Sequence, residues 1–162
     1  MIKEIKESHF LIYSFLASVA AMLFALYYQY FENYPPCEFC NYQRVPYIFL
    51  ILAIPTLVFI KKFKKYALLS ITFLFFISLV ISSLHFGIEK GYWTMSTSCS
   101  NLSGEFDDID SLRNFLSEVP ITKCDEVIWS HLGISMAGYN MLFSLLNFLL
   151  SIFFQLRKKY ER

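Results

Sequence analysis

The stretch NYPPCEFCNYQRVPYIFLILAIPTLVFIKKFKK, residues 33–65, holds a dithiol, one arginine, an apolar run and a basic cluster in a single line. Its apolar run, 45–60, falls short of the roughly 20 residues that cross a bilayer as a helix. A crossing helix must therefore take in Tyr42, Gln43 and Arg44. Arg44 then lies at one membrane rim and the lysines of 61–65 at the other. The segment reads as a transmembrane helix with thiols at one face and fixed positive charge at the opposite one.

Working outward, three further apolar runs, 10–31, 66–88 and 134–156, are each long enough to span. Together they explain a hydrophobic content of 56% and a mean hydropathy of +0.47, both too high for an ordinary soluble domain. A signal peptide is a weaker reading of the first run. Lys3 and Lys6 precede it and ASVAA resembles a cleavage site, but the run continues far past the length of a signal core.

The net charge of +1 says little, whereas its distribution sets the topology. Lys3 and Lys6, KKFKK at 61–65 and RKKYER at 157–162 all fall on one side of a four-span chain. Basic loops favour the cytoplasm. The expected architecture is thus an all-α membrane protein, a single domain over 1–162. Its four-transmembrane-helix bundle has spans at about 10–31, 42–60, 66–88 and 134–156, both termini cytoplasmic, and two outward-facing loops, 32–41 and 89–133. No repeat or flexible linker marks a second domain. Within the longer loop, Ile109, Leu112, Phe115, Leu116 and Val119 recur at helical spacing behind Asp107, Asp108 and Asp110. Such a short amphipathic helix can lie on the membrane interface or pack on its own loop.

All four cysteines occupy the two outer loops: Cys37 and Cys40 in the first, Cys99 and Cys124 in the second. An even count confined to the oxidising side suggests disulfides. Three chemistries compete. A four-thiolate zinc site lacks the two close-spaced pairs usual for such sites, and a structural C-x-x-C bridge closes too short a loop to stabilise much. Redox work explains the spacing better, because a dithiol at a helix start gains thiolate character from the exposed N–H groups and partial positive charge there. Arg44, one turn after Cys40, shares its helix face and can either hold that thiolate or reach for lipid headgroups. His85 and Glu89, one turn apart at an outer helix end, can line a binding pocket, move protons or end the helix among headgroups. Trp93, Trp129, Tyr27, Tyr28 and Tyr30 read as an aromatic belt.

PPCEFCNYQR resembles the C-x-x-C-x-x-x-R signature of the disulfide bond formation protein B (DsbB) family of bacterial inner-membrane thiol oxidases. CDEVIWSHLGISM, from Cys124, is similar to the family's Cys, Trp, Leu-Gly, Met pattern, and LHFGIEKG resembles its His and Glu or Gln stretch at the end of the third helix. The resemblance covers all four spans and both outer loops. The order of the cysteine pairs, short-spaced first, differs from that of vitamin K epoxide reductase relatives, which share the bundle and the chemistry.

The resemblance implies a thiol:quinone oxidoreductase that reoxidises a periplasmic thioredoxin-fold oxidase, DsbA-like, and passes the electrons to ubiquinone or menaquinone, without nucleic acid. Cys99 is then the cysteine attacked by the partner and Cys124 the leaving thiolate, which exchanges with the Cys37–Cys40 disulfide through a Cys37–Cys124 bridge. Cys40 is left as a thiolate beside the quinone, with Arg44, His85 and Glu89 in the quinone site. Two rivals remain: a non-catalytic membrane scaffold with disulfide- or zinc-stapled loops, and a reductive transporter passing electrons outward. The latter class places cysteines within the membrane, and none is there in this sequence.

Overall fold

The computed structural model describes residues 2–59, 64–93 and 124–160. Cys99, the basic cluster at 61–63 and the amphipathic segment 107–119 lie outside the described residues. The described chain forms four helices: α1 (Ile2–Tyr30), α2 (Glu38–Phe59), α3 (Lys64–Glu89) and α4 (Met136–Tyr160). Three of them carry stretches long and apolar enough to cross a membrane, His9–Tyr30, Tyr66–Glu89 and Met136–Arg157.

The packing is inverted relative to a soluble bundle. Large apolar side chains such as Leu16, Leu23, Leu69, Phe73, Leu149 and Phe153 face outward. Small polar ones, Ser14, Ser18, Ser78, Ser82, Ser144 and Ser151, are fully buried between helices. In hydrocarbon there is no gain in hiding leucine, so small residues collect where helices must approach; Ser78 and Ser144 join through their hydroxyls at 2.8 Å, and others bond backbone carbonyls of their own helix. Ser18 Oγ donates to the Ser14 carbonyl at 2.8 Å and Ser82 Oγ to the Ser78 carbonyl at 2.7 Å.

Helix α3 packs against both α2 and α4, and α1 leans on α2. Phe75, Leu50 and Ile71 form the apolar centre of this arrangement. α1 and α4 meet through the rings of Phe10 and Phe154, 4.6 Å apart between centroids. Toward the other end, the space flanked by α1, α2 and α4 is a cavity.

Two boundaries differ from the sequence expectation. α2 begins at Glu38, so the expected outer loop 32–41 gives up its last residues, Cys40 among them, to the first helical turn. The two prolines at 35 and 36 end the preceding extended stretch, and the Asn41 N–H closes the first turn on the Cys37 carbonyl at 3.2 Å. The expected fourth span, 134–156, starts two residues late. Ile134–Ser135 instead pairs with Ser130–His131 as a small antiparallel hairpin, β2 with β1. Leu132 and Gly133 both take positive φ, 51° and 77°, as a two-residue turn of the primed kind requires. Ser135 then caps α4, its Oγ accepting the Gly138 N–H at 3.1 Å.

Candidate functional site

The Cys37 and Cys40 sulfurs lie 2.9 Å apart at the start of α2, Cys37 donating. Cys37 Sγ also accepts the Cys40 N–H at 3.2 Å, so the side chain that opens the helix satisfies one of its free N–H groups, as a capping oxygen would. The two thiols divide the charge unequally. The Cys37 S–H hydrogen bond lowers the Cys40 pKa, helped by the Cys37 backbone and by the Arg44 cation, against the opposing effects of burial and of the Glu89 charge. Cys37 is pushed up by the same bond to Cys40, by burial and by the neighbouring charge. Of the two, Cys40 is the more readily ionised and Cys37 the one that keeps its proton longer.

Cys124 is buried beside this pair, packed with Cys37 and Ile88, with Phe39 and Cys40 at the edge. The fold thus brings the last cysteine of the sequence against the first across a long separation. All three described cysteines are free.

His85, in the last turns of α3, completes the cluster. Its Nε2 is 3.5 Å from Cys37 Sγ and 3.8 Å from Glu89 Oε1, and its ring stacks on Phe39 at 5.7 Å. A chain of hydrogen bonds enters from the bundle interior. Tyr47 O–H donates to Asn140 Oδ1, Asn140 Nδ2–H to Gln43 Oε1 at 2.9 Å, and Gln43 Nε2–H to His85 Nδ1 at 2.9 Å. Followed in this direction the chain leaves the ring proton on Nε2, facing Cys37 and Glu89. Glu89 is tied in turn to the α4 cap, accepting from Ser135 Oγ.

The ligand atoms of Cys37, Cys40 and His85 lie within 4.8 Å of one another, close enough in principle to share a soft metal ion. With the ring proton on Nε2, however, the imidazole presents a donor to the sulfur rather than a lone pair to a metal.

Cys40, Arg44, His85 and Glu89, four of the residues expected from sequence, line the cavity together with Cys37. The cavity has a volume of about 310 Å³. Its α1 wall is built of Ala17, Ala20, Ala21 and Ala25, while Trp129 and Tyr139 wall the hairpin side. Polar groups converge at the thiol end; the rest is apolar, the division that a polar head group with a hydrophobic tail requires. Trp129, expected in an aromatic belt, packs on Phe24 and Tyr28 as part of this wall.

Sequence reasoning missed Gln29, Gln43, Tyr47, Asn140 and Ser135. Arg44 Nη1 donates to Gln29 Oε1 at 2.6 Å. A signal for most of these was present. Gln43 and Tyr47 follow Cys40 and Arg44 along α2 at helical spacing, and Asn140, Ser144, Asn147 and Ser151 make a polar stripe along an apolar helix.

Comparison with known proteins bears on the same residues. The model of the family described as disulfide bond formation protein DsbB matches residues 7–154. The chain belongs to the DsbB family. Uncharacterized protein RP370 of Rickettsia prowazekii (strain Madrid E) is 33% identical over 138 residues, covering 84% of this chain and 78% of that one. Membership of the DsbB family makes this a membrane protein of the disulfide-forming machinery with an oxidoreductase role.

Proposed function

We propose that the chain is a thiol:quinone oxidoreductase of the bacterial inner membrane, a single four-span domain with cytoplasmic termini and periplasmic cysteine loops. It reoxidises a DsbA-like thioredoxin-fold dithiol protein and delivers the electrons to a membrane quinone. The observation that carries this reading is the Cys37–Cys40 pair at the polar end of an apolar cavity, with Arg44 one turn away and Cys124 packed beside it. α2 acts as the fourth span, and Arg44 lies at its outer rim.

Thiol exchange accounts for the relay with atoms balanced. A thiolate of the reduced partner attacks Cys99 and releases Cys124 as a thiolate. Cys124, packed beside Cys37, attacks Cys37 and displaces Cys40 as a thiolate. The partner's second thiolate resolves the mixed disulfide, leaving as oxidised partner and freeing Cys99. Cys99 then reforms its bond to Cys124 and expels Cys37, which takes up a proton. The net products are partner disulfide and the Cys37–Cys40 dithiol.

A bound quinone, ubiquinone or menaquinone, supplies the sink for two electrons and two protons. The residues present fit it: the alanine wall of α1 accommodates a flat ring or isoprenoid tail, and Arg44, Gln43, His85 and Glu89 offer polar contacts at the thiol end. Arg44 holds the Cys40 charge and stands where a carbonyl oxygen can accept from a guanidinium. In a two-electron couple about 30 mV corresponds to about 1.4 kcal/mol, so one cation well placed shifts the poise noticeably. Closing the dithiol to a disulfide removes two electrons and the Cys37 proton, and His85 and Glu89 are the polar groups nearest that sulfur on the α3 side.

The relay is tested by Cys124→Ala in full-length protein. A mixed disulfide between Cys99 and a reduced thioredoxin-fold partner should accumulate. Trapping through Cys37 or Cys40 alone would reverse the assigned order.

A further inference from the structure

Gln29 lies in the last turn of α1 and Arg44 in the second turn of α2, and both side chains line the cavity. They are joined by the 2.6 Å bond from Arg44 Nη1 to Gln29 Oε1. The partner in this bond is a neutral side chain. An arginine at a membrane rim is free to extend toward lipid headgroups, and its long side chain has many rotamers with which to do so. Something must hold it inward for its charge to act on Cys40.

What holds it matters as much as that it is held. A glutamate at position 29 would accept the same hydrogen bond but neutralise the guanidinium, so that little net positive potential reached the thiolate. A neutral amide acceptor fixes the geometry and leaves the charge. The helix-to-helix spacing that permits the bond is set by the connection between them: the Tyr34 N–H donates to the Tyr28 carbonyl at 3.0 Å and the two rings stack at 6.1 Å.

We propose that Gln29 is a positioning residue of the thiol–quinone site, its side-chain carbonyl fixing the Arg44 guanidinium beside Cys40 without cancelling its charge. This deepens the oxidoreductase reading and rests on it for the quinone. The charged and titratable groups facing Cys40 are Cys37 and Arg44 from α2, His85 and Glu89 from α3, and Cys124, with Glu126 on the cavity wall. Of these, only Arg44 supplies a permanent positive charge, and Gln29 is its hydrogen-bond partner.

The test compares wild type, Gln29→Leu and Gln29→Glu as full-length protein in lipid nanodiscs. The first readout is the pH profile of Cys40 alkylation in the reduced protein, resolved by peptide mass spectrometry. The second is kcat and apparent KM for a short-chain benzoquinone. In Gln29→Glu the Cys40 profile should move to higher pH, with alkylation at fixed low pH slowed about tenfold, a shift of about one unit. Gln29→Leu should raise the apparent KM about tenfold by releasing Arg44, a loss of the size expected for one charge-assisted hydrogen bond. Thiol exchange with the reduced partner should persist in both.

Cys40 profiles and quinone KM within twofold of wild type in both variants would overturn the proposal. So would loss of thiol exchange along with turnover in both, which would make Gln29 a structural residue. The alkylation profile needs no quinone, so it judges Gln29 even if wild type proves unable to reduce one.

Discussion

His85 Nε2 lies 3.5 Å from the Cys37 sulfur, so the end of α3 presents a ring N–H to the thiol that must leave and re-enter the relay. Its Nδ1 is held by Gln43, which fixes the ring in place. In the proposed relay this gives a division of labour: Arg44 serves the charge on Cys40, and His85 the charge that appears on Cys37 when it is expelled.

Replacing His85 with Phe keeps the ring stack on Phe39 and removes the donor. A hydrogen bond to a charged sulfur contributes about 1.5–3 kcal/mol, so expulsion of Cys37 should slow by at least about tenfold. Single-turnover oxidation of the partner, run without quinone, isolates this step. The Cys37–Cys124 bridge should accumulate in His85→Phe while the initial attack on Cys99 keeps its rate. Equal bridge lifetimes in variant and wild type would remove His85 from the exchange.

The pH dependence of the reduced protein follows from the opposite shifts of the two thiols. Cys40, with its pKa lowered, should be alkylated at lower pH than an ordinary thiol and lose reactivity as pH falls through its depressed value. Cys37, with its pKa raised, should stay unreactive well above the ordinary thiol range. Arg44→Gln removes the cation, so the Cys40 profile should move to higher pH and apparent quinone affinity should fall about tenfold, with thiol exchange retained. Peptide-resolved alkylation across pH measures the first effect and steady-state kinetics the second. An unchanged quinone affinity would return Arg44 to a purely structural place at the rim.

Topology is open to a simple check. With the basic clusters cytoplasmic, a reporter fused at residue 63 should give a cytoplasmic signal and one fused at residue 110 an exported signal. An exported signal at 63 would overturn the orientation and place the dithiol on the wrong side for a periplasmic partner.

Much of this site was legible in one line of sequence. The C-x-x-C and the arginine one turn later locate the thiolate and its cation, and the helix end at Glu89 locates His85, because helical spacing carries each onto one face. The span boundaries were less so. Ile134 and Ser135 continue an apolar run, and only the turn chemistry of Leu132-Gly133 and the capping hydroxyl of Ser135 detach them from α4.

What stayed hidden was the partnering between helices. Ser78, Ser82, His85 and Glu89 form a polar stripe on α3, and Asn140, Ser144 and Asn147 another on α4. Read for length and apolarity, these helices appear as uniform spans; read for period, the stripes mark the inward faces. Even so, no spacing within a helix reveals that Gln43 bridges His85 to Asn140 or that Gln29 holds Arg44. Those contacts depend on how four helices are rotated against one another, which the packing of the whole bundle decides.

The central claim is that electrons from a dithiol protein reach a membrane quinone through these cysteines. The most direct measurement follows quinol formation and partner disulfide together, using the purified full-length protein in lipid nanodiscs with a reduced thioredoxin-fold dithiol and a quinone. The account predicts one quinol per partner disulfide, with quinol formation abolished in Cys40→Ser. Repeated turnover of partner oxidation, beyond what the protein's own disulfides supply, without quinone consumption, or quinone reduction that survives in Cys40→Ser, would contradict it.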